Sequence, residues 1–487
     1  MPVIPLPEDP DLAQLRRQAK ELCRAVAAGE PLAVARVADV LGAPPAEPFR
    51  LSDAQLMVAR RYGFASWPRL VAHVRLVNEI NWHPEAAGPQ AGAADELLRL
   101  ACLSYTGDDG PARRAGAPAL LAEQPAIARA SVHTAAATAD VDALRGFLGG
   151  GREAANARGG PFHWPPLMYL AYARHDPSID GDAVAACAAA LLDAGADPNA
   201  GVLWHGLPSP FTVITGLLGE GEQGPVAQPR HPHWRALTRL VLASGGEAND
   251  SQGLYNRMFE PGAEHLELLL KLGLGTGDGG PWRRRLGDAL ASPQQLVDQQ
   301  LRWAAMHGMV DRVELLAAHG ADGSSVVDAA ARAGHAAVVD ALVAAGTRAP
   351  SLDAVDRLIA LLAAGDEEAR AVAAAHPRRL AAAKRRRPSL LVDAVAAERP
   401  AAVRLLLDLG FDVDARGRGD QPVEGDWETP LHVAAGHGRV DLVRLLLDAG
   451  ADPTVHDHRF DATPLGWAEH FDHDDVATLL RPLAPPS

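Results

Sequence analysis

Thr429-Pro430-Leu431-His432-Val433-Ala434-Ala435, followed by Val443-Arg444-Leu445-Leu446-Leu447-Asp448-Ala449-Gly450-Ala451-Asp452-Pro453, decides the fold. Threonine can cap a helix, and proline suits the first helical position, where its missing N–H leaves no bond unmade. The Ala434-Ala435 pair lets a second helix approach closely. The leucine run gives that second helix a wide apolar face, and Gly450 ends it in the left-handed conformation that a Cβ would strain. The stretch therefore reads as helix, turn, helix, stop. One such pair cannot bury its own apolar face, so neighbouring pairs must stack and share a core.

The pattern recurs. Thr463-Pro464-Leu465-Gly466-Trp467-Ala468-Glu469 answers the first opening at a spacing of 34, the difference between 463 and 429. Upstream, Ala190-Leu191-Leu192-Asp193-Ala194-Gly195-Ala196-Asp197-Pro198-Asn199 repeats the second helix and its stop, and weaker versions end at Gly245, Gly273, Gly320, Gly346 and Gly410. A period near 33 with this opening resembles the ankyrin repeat family. The resemblance is specific at Thr429–Leu480 and Leu191–Asn199 and rests on periodicity elsewhere. It implies an all-α fold, an ankyrin-type helix-turn-helix solenoid with a small helical N-terminal cap.

The expected organisation is a helical leader over 1–80 and a repeat array over 94–487, degenerate in 94–425 and best matched in 429–483. Gly320 to Gly346 is too short for a unit with a projecting β-turn finger and should hold bare helix pairs. Insertions are expected near 201–233, which holds Gly219-Glu220-Gly221-Glu222-Gln223-Gly224-Pro225 and His231-Pro232-His233, and near 275–295, ahead of and including Trp282 and Arg283-Arg284-Arg285. In the leader, Leu12, Leu15, Ala19, Leu22 and Val26 recur at helical spacing; Ser52 is expected to cap a helix to Tyr62, and Ser66-Trp67-Pro68 to open another. The leader resembles those that precede bacterial ankyrin arrays, and its expected task is to cover an apolar end of the stack.

Composition narrows the function. With 48% hydrophobic, 22% charged and 5% aromatic residues, the chain is globular and packed through small aliphatic side chains. A formal charge of −15 argues against a nucleic-acid-binding surface, and the one dense basic run, Lys384-Arg385-Arg386-Arg387, reads as a solvated helix end. Cys23, Cys102 and Cys187 are too few and too scattered for a disulfide framework or a cysteine zinc site. No run reaches the roughly 18 apolar residues of a membrane span, and the start MPVIPLPEDPDL lacks a basic, apolar leader. A cytoplasmic monomer is expected, with no cofactor, metal or membrane. The scarcity of lysine beside abundant arginine and alanine is of the kind a GC-rich bacterial genome produces.

Chemistry-bearing residues were weighed in turn. His456-Asp457-His458 and His470-Phe471-Asp472-His473-Asp474-Asp475 have metal-ligand residue types, which would make a metal-dependent hydrolase or other enzyme at 456–475 the alternative function. The repeat register instead puts His473, like His335, at the turn between two helices, and the resemblance implies a structural histidine there and at His432. No nucleophile elbow, phosphate loop, dinucleotide fingerprint or His-Glu-x-x-His pair occurs. The expected function is therefore non-enzymatic: a protein-interaction module that grips an unidentified protein partner with the concave face and fingers of the stack. The candidate contact residues are Trp204, His205, Trp427, His456, His458 and Arg459, since aromatics and arginines dominate interface energetics. Trp164 and Trp467 are expected nearer the core.

Overall fold

In the computed structural model, residues 6, 7, 9–41, 44, 45, 47–417 and 427–483 are described. They form two compact units, Met1–Val297 and Asp298–Ser487. Helices dominate both, and among the described residues only three short strands occur.

The N-terminal unit opens with four helices, α1 (Leu12–Ala27), α2 (Pro31–Leu41), α3 (Leu51–Arg61) and α4 (Trp67–Ile80). Asp11 caps α1 by accepting the Ala13 N–H at 2.7 Å, and Ser66 caps α4. Ser52 does not cap α3. The cap there is Arg50, whose own N–H donates to Asp53 Oδ2 at 2.8 Å, so Ser52 lies inside the first turn. Leu15, Ala19, Ala54, Val58, Leu70 and Val74 close a small core among these helices. Burying each of the larger aliphatic side chains is worth about 1.5–3 kcal/mol.

After α4 the chain enters strand β1 (Asn81–Trp82), which pairs parallel with β2 (Gly201–Trp204); β2 pairs antiparallel with β3 (Pro210–Thr212), Val202 facing Phe211. The insertion near 201–233 is thus the start of a sheet, whose pairing partner lies some 120 residues upstream. Val77 and Ile80 of the leader pack with Leu203, Trp282, Leu286 and Leu290, so the leader rests on residues of both insertions.

Within this unit the inner helices Val132–Ala137, Pro166–Tyr172, Val213–Leu218 and Ser251–Asn256 pack in succession, as do the outer helices Val141–Phe147, Gly181–Asp193 and Trp234–Ala243. Buried polar groups link the layers. Arg174, 7% exposed, donates to the carbonyls of Pro229 (2.7 Å), Ala171 (2.9 Å), Ala173 (2.9 Å) and Gly216. Asp250 accepts from Thr212 Oγ1, Thr215 Oγ1 and Gly253 N–H, although burial raises its pKa.

In the C-terminal unit the helices Leu390–Ala396, Pro430–Gly436 and Pro464–His470 pack side by side. Their partners Pro400–Asp408, Val440–Asp448 and Asp474–Leu480 follow short turns, and Leu391, Val395, Leu406, Leu431, Leu442, Leu446, Val476 and Leu480 share one core. Between Gly320 and Gly346 lie a short 3₁₀ turn and the helices Val327–Arg332 and Ala336–Ala344, with no strand. The basic run is tied down: Lys384 Nζ donates to the Gly410 carbonyl at 2.6 Å, Arg386 pairs with Asp353 and Asp356, and Arg387 pairs with Asp393. Among the described residues no helix is long and apolar enough to cross a membrane.

Candidate protein-binding site

The helix openings of the C-terminal unit are held by histidine. Thr429 N–H and Oγ1–H donate to His432 Nδ1 at 3.3 and 2.8 Å, and Nε2–H donates to the Ala462 carbonyl of the next opening at 3.1 Å. Because a backbone N–H can only donate, Nδ1 must be the unprotonated nitrogen, so the ring is neutral. Burial pushes its pKa from 6.5 down to about 4, and the neighbouring carbonyl bond and Asp457 only partly oppose this. His432 therefore joins two repeats and has no proton to give near neutral pH.

A second set of histidines sits at the turns. His473 Nε2 donates to the Gly436 carbonyl at 2.9 Å and His335 Nε2 to the Met306 carbonyl at 2.8 Å. Each ring lies against a glycine of positive φ: a Cβ on Gly438 would stand 2.7 Å from His473 Nδ1, and one on Gly308 2.6 Å from His335 Nδ1. These rings need a neighbour without a side chain, which is why Gly438 and Gly308 are there.

The finger between Asp452 and Thr463 is organised by Asp457, which is 2% exposed. Its Oδ1 accepts the N–H groups of Arg459 (2.8 Å) and Phe460 (2.6 Å), and its Oδ2 those of Ala462 (3.1 Å) and the Trp467 indole (3.0 Å). Burial alone would raise this carboxyl's pKa, but the N–H donors outweigh it and hold it below 3.8. Arg416 ties this finger to the preceding one, donating to the carbonyls of Trp427 (2.9 Å) and His456 (2.8 Å).

Trp427 corrects the expectation of an exposed tryptophan. It is only 6% exposed, because Phe460 stands edge-on to it at 5.5 Å, Trp467 lies 5.2 Å away and the Arg459 guanidinium covers its ring at 5.5 Å. Trp467 is the more open of the two, half-buried, and leads to Phe471 at 6.2 Å. What reaches solvent is Phe460, 63% exposed, and Phe471, 51% exposed, with Arg459 beside Phe460 at 5.1 Å. Phe460 and Phe471 were not legible as contacts, because an aromatic in a loop carries no sign of which face it presents.

The histidines of the 456–475 segment have separate tasks. His456 Nδ1 donates to the Asp461 carbonyl at 2.7 Å, His458 N–H to the Trp427 carbonyl at 3.0 Å, and His470 packs on Phe471 at 4.8 Å. Among the described residues no group of three or more His, Cys, Asp or Glu is placed to hold a metal ion.

Trp204 and His205 belong to the N-terminal unit. They end β2, half-buried, with ring centroids 4.3 Å apart, and His205 pairs with Glu85 at 3.0 Å.

Paired helices joined by tight turns, stacked through histidine and glycine, with projecting fingers, define a helical repeat protein. Residues 391–484 match the family model of ankyrin repeats in three copies. A putative ankyrin repeat protein of fowlpox virus, FPV219, is 35% identical over 68 residues, covering 14% of this chain and 14% of the viral protein. The C-terminal part of the chain, over residues 391–484, therefore consists of ankyrin repeats. Repeats of this family are protein–protein interaction modules.

Proposed function

We propose that this chain acts as a cytoplasmic, non-enzymatic binding module, and that its last repeats hold a protein partner against the surface formed by Arg459, Phe460, Trp467 and Phe471. The observation that carries this is the exposure of Phe460 and Phe471, 63% and 51%, beside a buried tryptophan and an arginine. Two open phenylalanines linked through Trp427 and Trp467 make an exposed aromatic patch of the kind that favours a covered surface. Aromatic and arginine anchors backed by rigid packing are what concentrates binding energy at interfaces. His456 and His458 lie on the same finger and frame the patch. Trp427 supports it from beneath.

The test is affinity capture from the source organism's lysate with wild type and with Phe460→Ser/Phe471→Ser, both shown to be folded by circular dichroism. A protein retained by wild type and lost by the double variant is the expected result. Equal capture by both would remove the patch from consideration.

A further inference from the structure

A second feature lies in the N-terminal unit. A cleft of about 600 Å³ opens between three elements: the segment with Leu6, Pro7 and Pro10; the leader helices with Tyr62, Phe64, His73 and Val77; and the finger Trp204–Pro208, with Ala289 at its margin. Its size falls within the roughly 300–1,000 Å³ of small-molecule sites, which favour junctions between substructures.

The walls are braced. The N-terminal segment is fastened where Asn78 Nδ2 donates to the Pro10 carbonyl at 3.3 Å and where Asp9 meets Asn81 Nδ2 at 2.9 Å and His83 Nε2 at 3.0 Å. On the opposite wall His205 and Gly206, at φ +48° and +69°, form a tight turn that Leu207 N–H closes on the Trp204 carbonyl at 3.0 Å. His205 N–H donates to the Trp82 carbonyl at 3.0 Å, and its ring packs on His83 at 5.1 Å and pairs with Glu85.

The chemistry of the walls selects the ligand. Among the described residues none of the lining side chains is Asp, Glu, Lys or Arg; the polar ones are a phenol, two imidazoles and an indole, and the rest are proline, leucine, valine, phenylalanine, alanine and glycine. A phosphate or carboxylate would enter without a fixed countercharge, at a large desolvation cost. Flat aromatic walls, by contrast, reward a flat apolar body, and His73, its ring tilted against Phe64 at 4.9 Å and kept neutral by burial, offers hydrogen bonding without charge.

We propose that this cleft is a binding site for an uncharged, aromatic small molecule, seated between Phe64, His73, Trp204 and Leu207.

The test uses N-phenyl-1-naphthylamine, an uncharged aromatic probe whose fluorescence rises in apolar surroundings, titrated into the full chain. Wild type should bind one equivalent saturably. Leu207→Arg, at a position 50% exposed and therefore tolerant of substitution, should weaken binding at least tenfold, and Trp204→Ala should do the same. Phe460→Ser/Phe471→Ser should bind as wild type does, which separates this site from the finger aromatics. The sulfonated analogue 8-anilinonaphthalene-1-sulfonate should bind at least tenfold more weakly than the neutral probe. Absence of saturable binding, equal affinity of the Leu207→Arg variant, or preference for the sulfonate would each overturn the proposal.

Discussion

The two units solve one packing problem in different ways. In the C-terminal repeats, each joint is closed by a residue of the repeat itself: His432 reaches the next opening, and His473 reaches back to Gly436 across a bare Gly438. In the N-terminal unit the joints are closed by material added to the repeat: strands β2 and β3, the carboxylate of Asp250, and above all Arg174, which gathers four carbonyls from three segments. His133 and His233 still bond to the Ala157 and Ile179 carbonyls there, so the older device persists beneath the additions. Where units draw the staple from the same turn position, as His335, Arg399 and His473 do, the pattern repeats and can be recognised. Where each joint has its own staple, the pattern is lost while the helices stay in place.

The comparison is open to direct attack. The largest effect should come from Arg174→Ala, which leaves four carbonyls without their donor; at about 1 kcal/mol for each lost bond, the unfolding free energy of the N-terminal unit should fall by about 4 kcal/mol in urea. A small change would mean that water takes over the guanidinium's role and that the joint is not held by it.

Acid should act on the C-terminal unit through His432. Its folded pKa of about 4 lies below the ordinary 6.5, so the unfolded chain binds the proton more readily. The contribution is full above pH 6.5 and is lost as pH falls towards 4, to a total of about 3 kcal/mol at 1.4 kcal/mol per unit. Urea midpoints between pH 7 and 4.5 should therefore fall for wild type, and less steeply for His432→Gln. Parallel slopes would assign the acid sensitivity elsewhere.

Asp457→Ala removes the acceptor of four N–H groups in one finger; because water can reach the N–H groups of this loop, about half the per-bond loss used for Arg174 applies, a loss of about 2 kcal/mol, together with loss of the partner captured by wild type. Asp457→Asn should recover part of the stability, since its amide oxygen can still accept. Gly438→Ala should cost about 1–2 kcal/mol, because alanine is strained at φ +65° and its methyl displaces the His473 ring. The smallest effect on stability should be that of Phe460→Ser/Phe471→Ser, within about 0.5 kcal/mol, since both rings are mostly in solvent already.

The sequence was most readable where local chemistry and repeat register coincide. Thr-Pro openings, leucine runs and glycine stops placed the helices Pro430–Gly436, Val440–Asp448 and Pro464–His470, and register alone separated His473 from a metal-ligand role. It was least readable at loops. Trp427 and Trp467 occupy similar loop-to-helix positions, yet Trp427 is covered and Trp467 is half-open, because the finger that carries Arg459 and Phe460 folds back over one ring and not over the other. Ser52 looked like a cap because serine commonly is one; Asp53, one residue on, made Arg50 the boundary instead.

By itself, the sequence determined that this chain is a stack of helix pairs, because helix periodicity, capping and glycine stops act over a few residues and need no distant partner. Tertiary structure alone decided which aromatics face solvent, that Asp457 is the centre of a finger, and that the leader meets β2 and Trp282 to leave a cleft beside Trp204. Those outcomes depend on contacts between residues far apart in the chain, where the identity of a side chain says what it can bond to and only the fold says what stands within reach.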